Sequence, residues 1–246
     1  ESHRRALIEA IGLGAQVSDD FKHLSPELVD ACRDMVRRKS GAFWLEGGAR
    51  TTIQGFRHQV IVKGGPVRLP PHRLKGGDLA FVEESLQADL KRGQLKRGRS
   101  PWGSPAFPTK AGPRKRRVVI DYRRVNQITE KACFLIPRAE DIKSEIAGSK
   151  WFSAADAVSG FNHVENTPET KLILAIVSAS GTWLPESLVF GPTNGPEDFQ
   201  FVVYRAFGEA QSGTSRRLLK DWHIYIDDFI VSTRDFPPHL AAEVGR

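Results

Sequence analysis

The sequence feature that most constrains the fold is a pair of adjacent aspartates held between two apolar runs. Trp222-His223-Ile224-Tyr225-Ile226 precedes Asp227-Asp228, and Phe229-Ile230-Val231 follows. Each run has the length and β-branched content of a strand, so the chain must turn back on itself at the acids. Hairpin turns usually recruit Gly or Asn, which accept positive φ. Here the sequence predicts a turn made by the two carboxylates themselves. Like charges that close repel and cost stability unless a cation sits on them. Hard divalent ions such as Mg²⁺ take carboxylate oxygens. The pair is therefore a candidate for two-metal phosphoryl chemistry, with an ordinary acidic hairpin tip as the competing reading of these residues alone.

The chain has 246 residues, enough for one large domain or two small ones, and its 40% hydrophobic content can supply a core. The formal charge of +7 allows a polyanionic partner. Its distribution is more informative, because between Lys91 and Arg124 every charged residue except Asp121 is basic. Such a block inside a folded region points to phosphate binding. Cys32 and Cys133 are the only cysteines. That inventory excludes a disulfide framework and a Cys-type zinc site and implies a reducing compartment, cytoplasmic or nuclear. No run approaches the roughly 20 apolar residues of a membrane span. The first residue is Glu, and the chain is expected to be part of a longer or processed product.

Along the chain, Ser25-Pro26-Glu27 reads as a helix start. His58–Lys63 suits a short strand. Asp78 is expected to cap a helix whose apolar stripe is Leu79, Val82, Leu86 and Leu90. Strands are expected at Ala106–Lys110 and Arg117–Asp121, forming a hairpin around a basic tip at Gly112–Arg116. A short helix follows near Ala139–Ala147, then a strand at Trp151–Asp156. Leu172–Val177 reads as a strand buried on both faces, with Trp183–Phe190 able to pair with it. Pro196 opens a helix bearing Phe199, Val202, Val203 and Phe207 on one side, and another helix starts after Pro237-Pro238. Strands interrupted by helices without strict alternation indicate an α+β fold.

A two-metal site usually needs a further carboxylate from elsewhere in the sheet. Asp156 is the candidate, since it ends an apolar strand beside the turn Ser159-Gly160-Phe161. Taken alone it reads equally as a helix N-cap. Gly191-Pro192-Thr193-Asn194-Gly195-Pro196 leads into a helix, and its small residues would let a phosphate or base pair approach the backbone.

In order, these pieces resemble the fingers and palm of reverse transcriptases, most closely the LTR-retrotransposon type. The segments that carry the resemblance are Ser100–Pro105, Arg117–Asn126, Trp151–Phe161, Phe190–Pro196 with Phe199-Gln200, and Tyr225-Ile226-Asp227-Asp228. The resemblance runs from about Leu24 to the last residue. It implies a right-hand polymerase fold with an antiparallel palm sheet packed on helices. Residues 1–57 would form an N-terminal helical extension, 58–150 the fingers with the first part of the palm, and 151–246 the palm with the catalytic aspartates. The thumb, the primer-gripping hairpin and any RNase H domain would be absent from this chain.

The resemblance further implies that Asp156, Asp227 and Asp228 hold two Mg²⁺ ions and are the catalytic residues. Lys110 and Arg117 would clamp the incoming triphosphate, where charge and a planar guanidinium suit phosphate oxygens. Phe161 would exclude a ribose 2′-hydroxyl, Gly191 would let the nucleotide approach the backbone, and Gln200 and Tyr225 would help position the template-primer. The implied partners are an RNA template, a DNA primer, dNTP, and other domains of a parent polyprotein or larger assembly. This sequence departs from the family pattern at the charged fingers tip, in Ser178–Leu188, at Pro192, and at Glu197-Asp198, where two acids face the expected path of nucleic acid. A decayed or co-opted module, serving as a structural or nucleic-acid-binding subunit, is the alternative function.

Overall fold

The computed structural model describes residues 51–110, 116–210, 216–218 and 221–235, together with Asp34 and Arg38. The remainder of the helix expected from Ser25, the basic tip from Gly112 to Lys115 and the helix after Pro238 lie outside the described residues. Asp34 and Arg38 are helical and form an i,i+4 ion pair at 2.6 Å.

The chain enters through a two-residue strand β1 (Arg57–His58), then helix α1 (Gly76–Lys91), β2 (Leu95–Arg97), β3 (Ser104–Pro108) and β4 (Val118–Ile120). The apolar stripe of α1 behaves as its spacing predicts, with Val82 and Leu86 fully buried. Asp78 does not cap the helix, however. Lys75 holds the N-cap position without a side-chain bond, and Asp78 lies in the first turn, where it pairs with Arg116. A carboxylate is favoured there by the helix dipole whether or not it caps. The strand expected over His58–Lys63 shrinks to β1 and an isolated bridge between Val62 and Thr129.

Helices α2 (Arg123–Ile128) and α3 (Ala139–Glu145) lead to β5 (Trp151–Asp156), a 3₁₀ turn (Gly160–His163) and β6 (Glu165–Asn166). Next come α4 (Pro168–Ile173), β7 (Ile176–Ser178), β8 (Gly181–Pro185) and α5 (Gly195–Phe207). The apolar run Leu172–Val177 is therefore not one strand. Thr167 accepts a hydrogen bond from the Thr170 N–H and Pro168 sits in the first turn, so a helix starts upstream and takes Leu172 and Ile173 from the run. Short strands β9 (Gly208–Ala210) and β10 (Arg216–Leu218) pair antiparallel, then β11 (Trp222–Tyr225) and β12 (Asp228–Thr233) close the described chain.

Two sheets organise the molecule. The larger is five-stranded, in the order β2-β8-β7-β3-β4, and the smaller is β11-β12-β5, wholly antiparallel. The chain passes between the two sheets more than once. After β5 it returns to place β7 and β8 inside the larger sheet. The reason is parallel pairing of β7 with β3, which needs a long crossover. Each sheet has its own apolar cluster. One gathers Trp102, Leu174, Ile176 and Trp183 against α1, and the other packs Phe161, Leu188, Phe199, Val203 and Ile224 beneath the aspartate hairpin. Among the described residues no helix is long and apolar enough to cross a membrane.

Candidate active site

The aspartates converge because of strand register. In the antiparallel pairing of β12 with β5, Asp228 lies directly opposite Asp156. Such partners have Cα atoms about 4.5–5.5 Å apart. Asp227 is tied to the same corner by its backbone, whose carbonyl accepts the Ala157 N–H at 3.0 Å. Residues separated by some 70 positions of sequence thus become neighbours through two hydrogen-bonded strands.

The turn differs from the one expected. Tyr225 pairs with Asp228, so the two central residues are Ile226 and Asp227, and Asp228 already belongs to β12. Ile226 has φ +55°, a conformation that β-branched residues rarely adopt. The hairpin therefore gets its positive φ from an isoleucine, held by packing against the cluster below.

Burial pushes the Asp227 carboxyl above the usual range, and the charges of Asp156 and Asp228 add to the shift. Its Oδ1 is buried without a hydrogen-bond partner. Gly160 makes room for it, since a Cβ there would lie 2.6 Å from that oxygen and 2.7 Å from Phe199 Cζ. The turn after Asp156 must therefore be small for reasons of contact, with Ser159 at φ +53° setting the bend. A buried, unpartnered carboxylate oxygen is costly and is the kind of group a cation satisfies. Among the described residues no three acidic, His or Cys side chains are already gathered into a closed metal-binding group.

Above the acids lies an open cavity of about 500 Å³, lined among others by Phe161, Phe190, Gly191, Tyr225, Asp227 and Asp228. Phe161 is buried and stacks on Phe190, their centroids 4.7 Å apart. Phe190 is 69% exposed and forms the cavity's apolar wall. Gly191 has φ +116°, and a Cβ would stand 3.0 Å from Tyr122 Cδ2, so only glycine suits this point of the wall. Tyr225 is exposed at the rim.

Gln200 is placed differently from the expectation. It is fully buried under the hairpin, donating from Nε2 to the Ile224 carbonyl at 3.0 Å and accepting the Ile226 N–H through Oε1 at 2.6 Å. In that position it braces the strained turn that presents Asp227. Lys110 and Arg117 are exposed at the mouth of the β3–β4 hairpin and do not line the cavity. They are brought beside each other by bonds of Thr109 N–H to the Arg117 carbonyl (2.8 Å) and of Arg117 N–H to Thr109 Oγ1 (3.0 Å).

Sequence reasoning missed Asn126. Its Nδ2 donates to the Gly191 carbonyl at 2.8 Å, and its Oδ1 accepts the Thr193 N–H at 3.0 Å. One amide thus clamps the glycine loop from both sides. The signal was its place at the end of the Arg117–Asn126 segment, but a clamp 65 residues away leaves no trace in spacing.

The acids at Glu197-Asp198 have partners within the protein. Asp198 bonds the fully buried His58 at 2.5 Å, and both acids occupy the first turn of α5, where the dipole favours them. The basic block is likewise partly used internally. Arg92 pairs with Asp89, Lys96 with Glu186, Arg116 with Asp78 and Arg123 with Asp121, while Arg97 lies 3.4 Å over the Trp183 ring. Lys91, Arg99, Lys110, Arg117 and Arg124 have no ion pair among the described residues and are exposed.

Comparison with known proteins agrees with this geometry. The family model described as reverse transcriptase (RNA-dependent DNA polymerase) matches residues 108–242, more than half of the chain. The retrovirus-related Pol polyprotein from transposon 297 of Drosophila melanogaster is 26% identical over 225 residues, covering 89% of this chain and 20% of that polyprotein. The enzymatic polyprotein of soybean chlorotic mottle virus is 29% identical over 164 residues, 64% of this chain and 22% of the relative. The chain thus spans about a fifth of the length of these curated relatives. Among solved structures, native prototype foamy virus protease-reverse transcriptase superposes with a TM-score of 0.75 at 16% identity, over 98% of this chain and 30% of that one. The foamy viral enzyme in complex with double-stranded DNA gives 0.74 at 18% identity, over 99% and 40%. Fold, order of motifs and family match coincide: the chain belongs to the reverse transcriptase (RNA-dependent DNA polymerase) family.

Proposed function

We propose that this chain is the fingers and palm of an RNA-directed DNA polymerase, adding a deoxynucleotide to a primer 3′-hydroxyl at Asp156, Asp227 and Asp228. The observation that supports the reading most directly is the register that sets Asp156 opposite Asp228, with the buried, unpartnered Asp227 oxygen beside them. All three donors are hard oxygens, the chemistry that two Mg²⁺ ions require. When bound, the ions supply Lewis-acid stabilisation of the attacking hydroxyl and the departing pyrophosphate.

The protein's own residues do the rest. Gln200 holds the turn so that Asp227 is fixed before substrate arrives. Asn126 holds the Gly191 loop open to the nucleotide. Phe161, buried behind the exposed Phe190, forms with it an aromatic wall where the sugar would lie, and the pair favours deoxyribose by sterics. Arg117 and Lys110 offer phosphate contacts from the fingers. Template-primer would meet Tyr225 at the rim, and the exposed cations Lys91, Arg99 and Arg124 along the backbone path.

Primer extension tests this. On an oligo(dT)-primed RNA template with Mg²⁺, the wild-type chain extends the primer and Asp227→Asn does not, while both keep the same circular dichroism. Extension by Asp227→Asn at the wild-type rate would sink the catalytic assignment. RNA binding without extension by any form, including one continued downstream, would instead favour the co-opted subunit.

A further inference from the structure

The charged fingers tip is a departure that the polymerase reading leaves without a purpose, and Arg116 gives it one. Exposure alternates along Arg116, Arg117, Val118, Val119 and Ile120, with Arg116, Val118 and Ile120 turned inward and Arg117 and Val119 outward. This is the period of a strand, so Arg116 and Arg117 point to opposite faces. Arg116 leans on α1. Its guanidinium pairs with Asp78 and lies 4.6 Å over the ring of Phe81. Asp78 and Phe81 are three residues apart, hence neighbours on one face of the helix's first turns. Arg116 Nε is buried, so the side chain is inserted rather than lying in solvent. No other ion pair among the described residues joins the β3–β4 hairpin to α1.

We infer that Arg116 is a positioning residue for the nucleotide: by locking the base of the fingers hairpin onto α1 through Asp78 and Phe81, it fixes the direction in which Arg117 presents its guanidinium to the triphosphate. The inference rests on the polymerase reading for its ligand, a deoxynucleoside triphosphate, but the lock itself is a property of the fold. A planar cation over an aromatic ring and against a carboxylate has a defined orientation, which a hydrophobic contact would not impose. Strand β4 is a three-residue edge strand of its sheet, held on one side through β3, so a tie from its base to α1 restrains it further.

The test has two arms on the full chain. Amide hydrogen exchange without substrate reads the lock: Arg116→Met and Asp78→Asn each speed exchange at Thr109 and Val118–Ile120 about five- to tenfold, and the double variant adds little to either. Steady-state primer extension reads the positioning. Arg116→Met raises KM for dNTP about five- to tenfold with kcat nearly unchanged, and the exchanged pair Asp78→Arg with Arg116→Asp recovers most of the loss. A merely structural role would lower the active fraction, and so kcat, without moving KM. Exchange that does not change in either variant overturns the lock. Faster exchange with KM unmoved overturns the positioning role and leaves the polymerase reading standing. Absence of primer extension in every form, including one continued downstream, overturns that reading and the positioning role together, while the exchange arm still reports on the lock.

Discussion

The two sheets of this protein solve opposite problems. The five-stranded sheet is built to be buried: Ile176, Val177 and Trp183 are no more than 2% exposed, and even the Trp183 indole N–H finds Ser178 Oγ at 3.0 Å. The three-stranded sheet is built to be reached. Its strand β5 exposes Phe152, Ala154, Ala155 and Asp156, its turn is strained at Ile226, and one oxygen of Asp227 is buried unpaired. Polar satisfaction and close packing favour a stable fold. Converging like charges work against one. The contrast gives stability to the first sheet and, on the proposed function, chemistry to the second, and it can be broken at named residues.

The largest effect is expected in the second sheet and on rate alone. Asp227→Asn lowers primer extension by on the order of three to four decades, about 4–5 kcal/mol of transition-state stabilisation, with no loss of melting temperature. The next is expected in the first sheet and on stability. Trp183→Ala removes a fully buried side chain, its bond to Ser178 and the surface on which Arg97 rests. Urea unfolding should show a loss of about 3–5 kcal/mol. If Asp227→Asn destabilised as much as Trp183→Ala, the division of labour would be wrong.

A smaller effect tests the link between the sheet and its brace. Gln200→Leu leaves the Ile224 carbonyl and the Ile226 N–H without their partner. Stability should fall by about 2 kcal/mol, and extension should fall further than that loss explains, because Asp227 is then no longer held. Equal RNA affinity in the two forms would agree with a brace; a large loss of affinity would mean Gln200 acts on the template after all.

The pH dependence of the acids is subtler. Burial, then the charges of Asp156 and Asp228, raise Asp227 above its unfolded value. A raised carboxyl favours the folded state while protonated, so metal-free protein loses stability as pH rises through the folded pKa. Asp227→Asn cannot ionise and should escape that loss, melting a few degrees above wild type at neutral pH in EDTA. The gap should close at low pH. A gap that persists unchanged below the carboxylate range would place the repulsion elsewhere.

What could be read from the sequence was whatever depends on local pattern. The stripe of α1 and the strand Trp151–Asp156 follow from local pattern, and the family resemblance implied that the three acids share one site. What could not be read depends on distant partners. Leu172–Val177 carries no sign of where a helix yields to a strand, and Thr167-Pro168 decides it from outside the run. Asp198 looked like a charge facing nucleic acid because His58, 140 residues earlier, is invisible to it in sequence. Gln200 looked like a surface contact because burial of an amide is only tolerable once both of its ends are met, which the hairpin supplies.

The turn residue Ile226 gives the finest test of the contrast. In an ordinary core, isoleucine replaced by glycine loses its packing and stiffens nothing in return; at Ile224, which is 1% exposed, the cost should exceed about 3 kcal/mol. At Ile226 two terms oppose. Glycine gives up the partial packing of the side chain against the lower cluster, but it adopts φ +55° without the roughly 1–2 kcal/mol that a side chain pays there. The net change in unfolding free energy should therefore be under about 1 kcal/mol. Rate should not follow stability. A glycine turn visits other conformations, so Asp227 loses its fixed place and extension should slow about tenfold, a cost of about 1.4 kcal/mol. A variant as destabilised as the one at Ile224 would show that the turn is held by packing and carries no strain. One with unimpaired extension would show that the strain is not what orients Asp227.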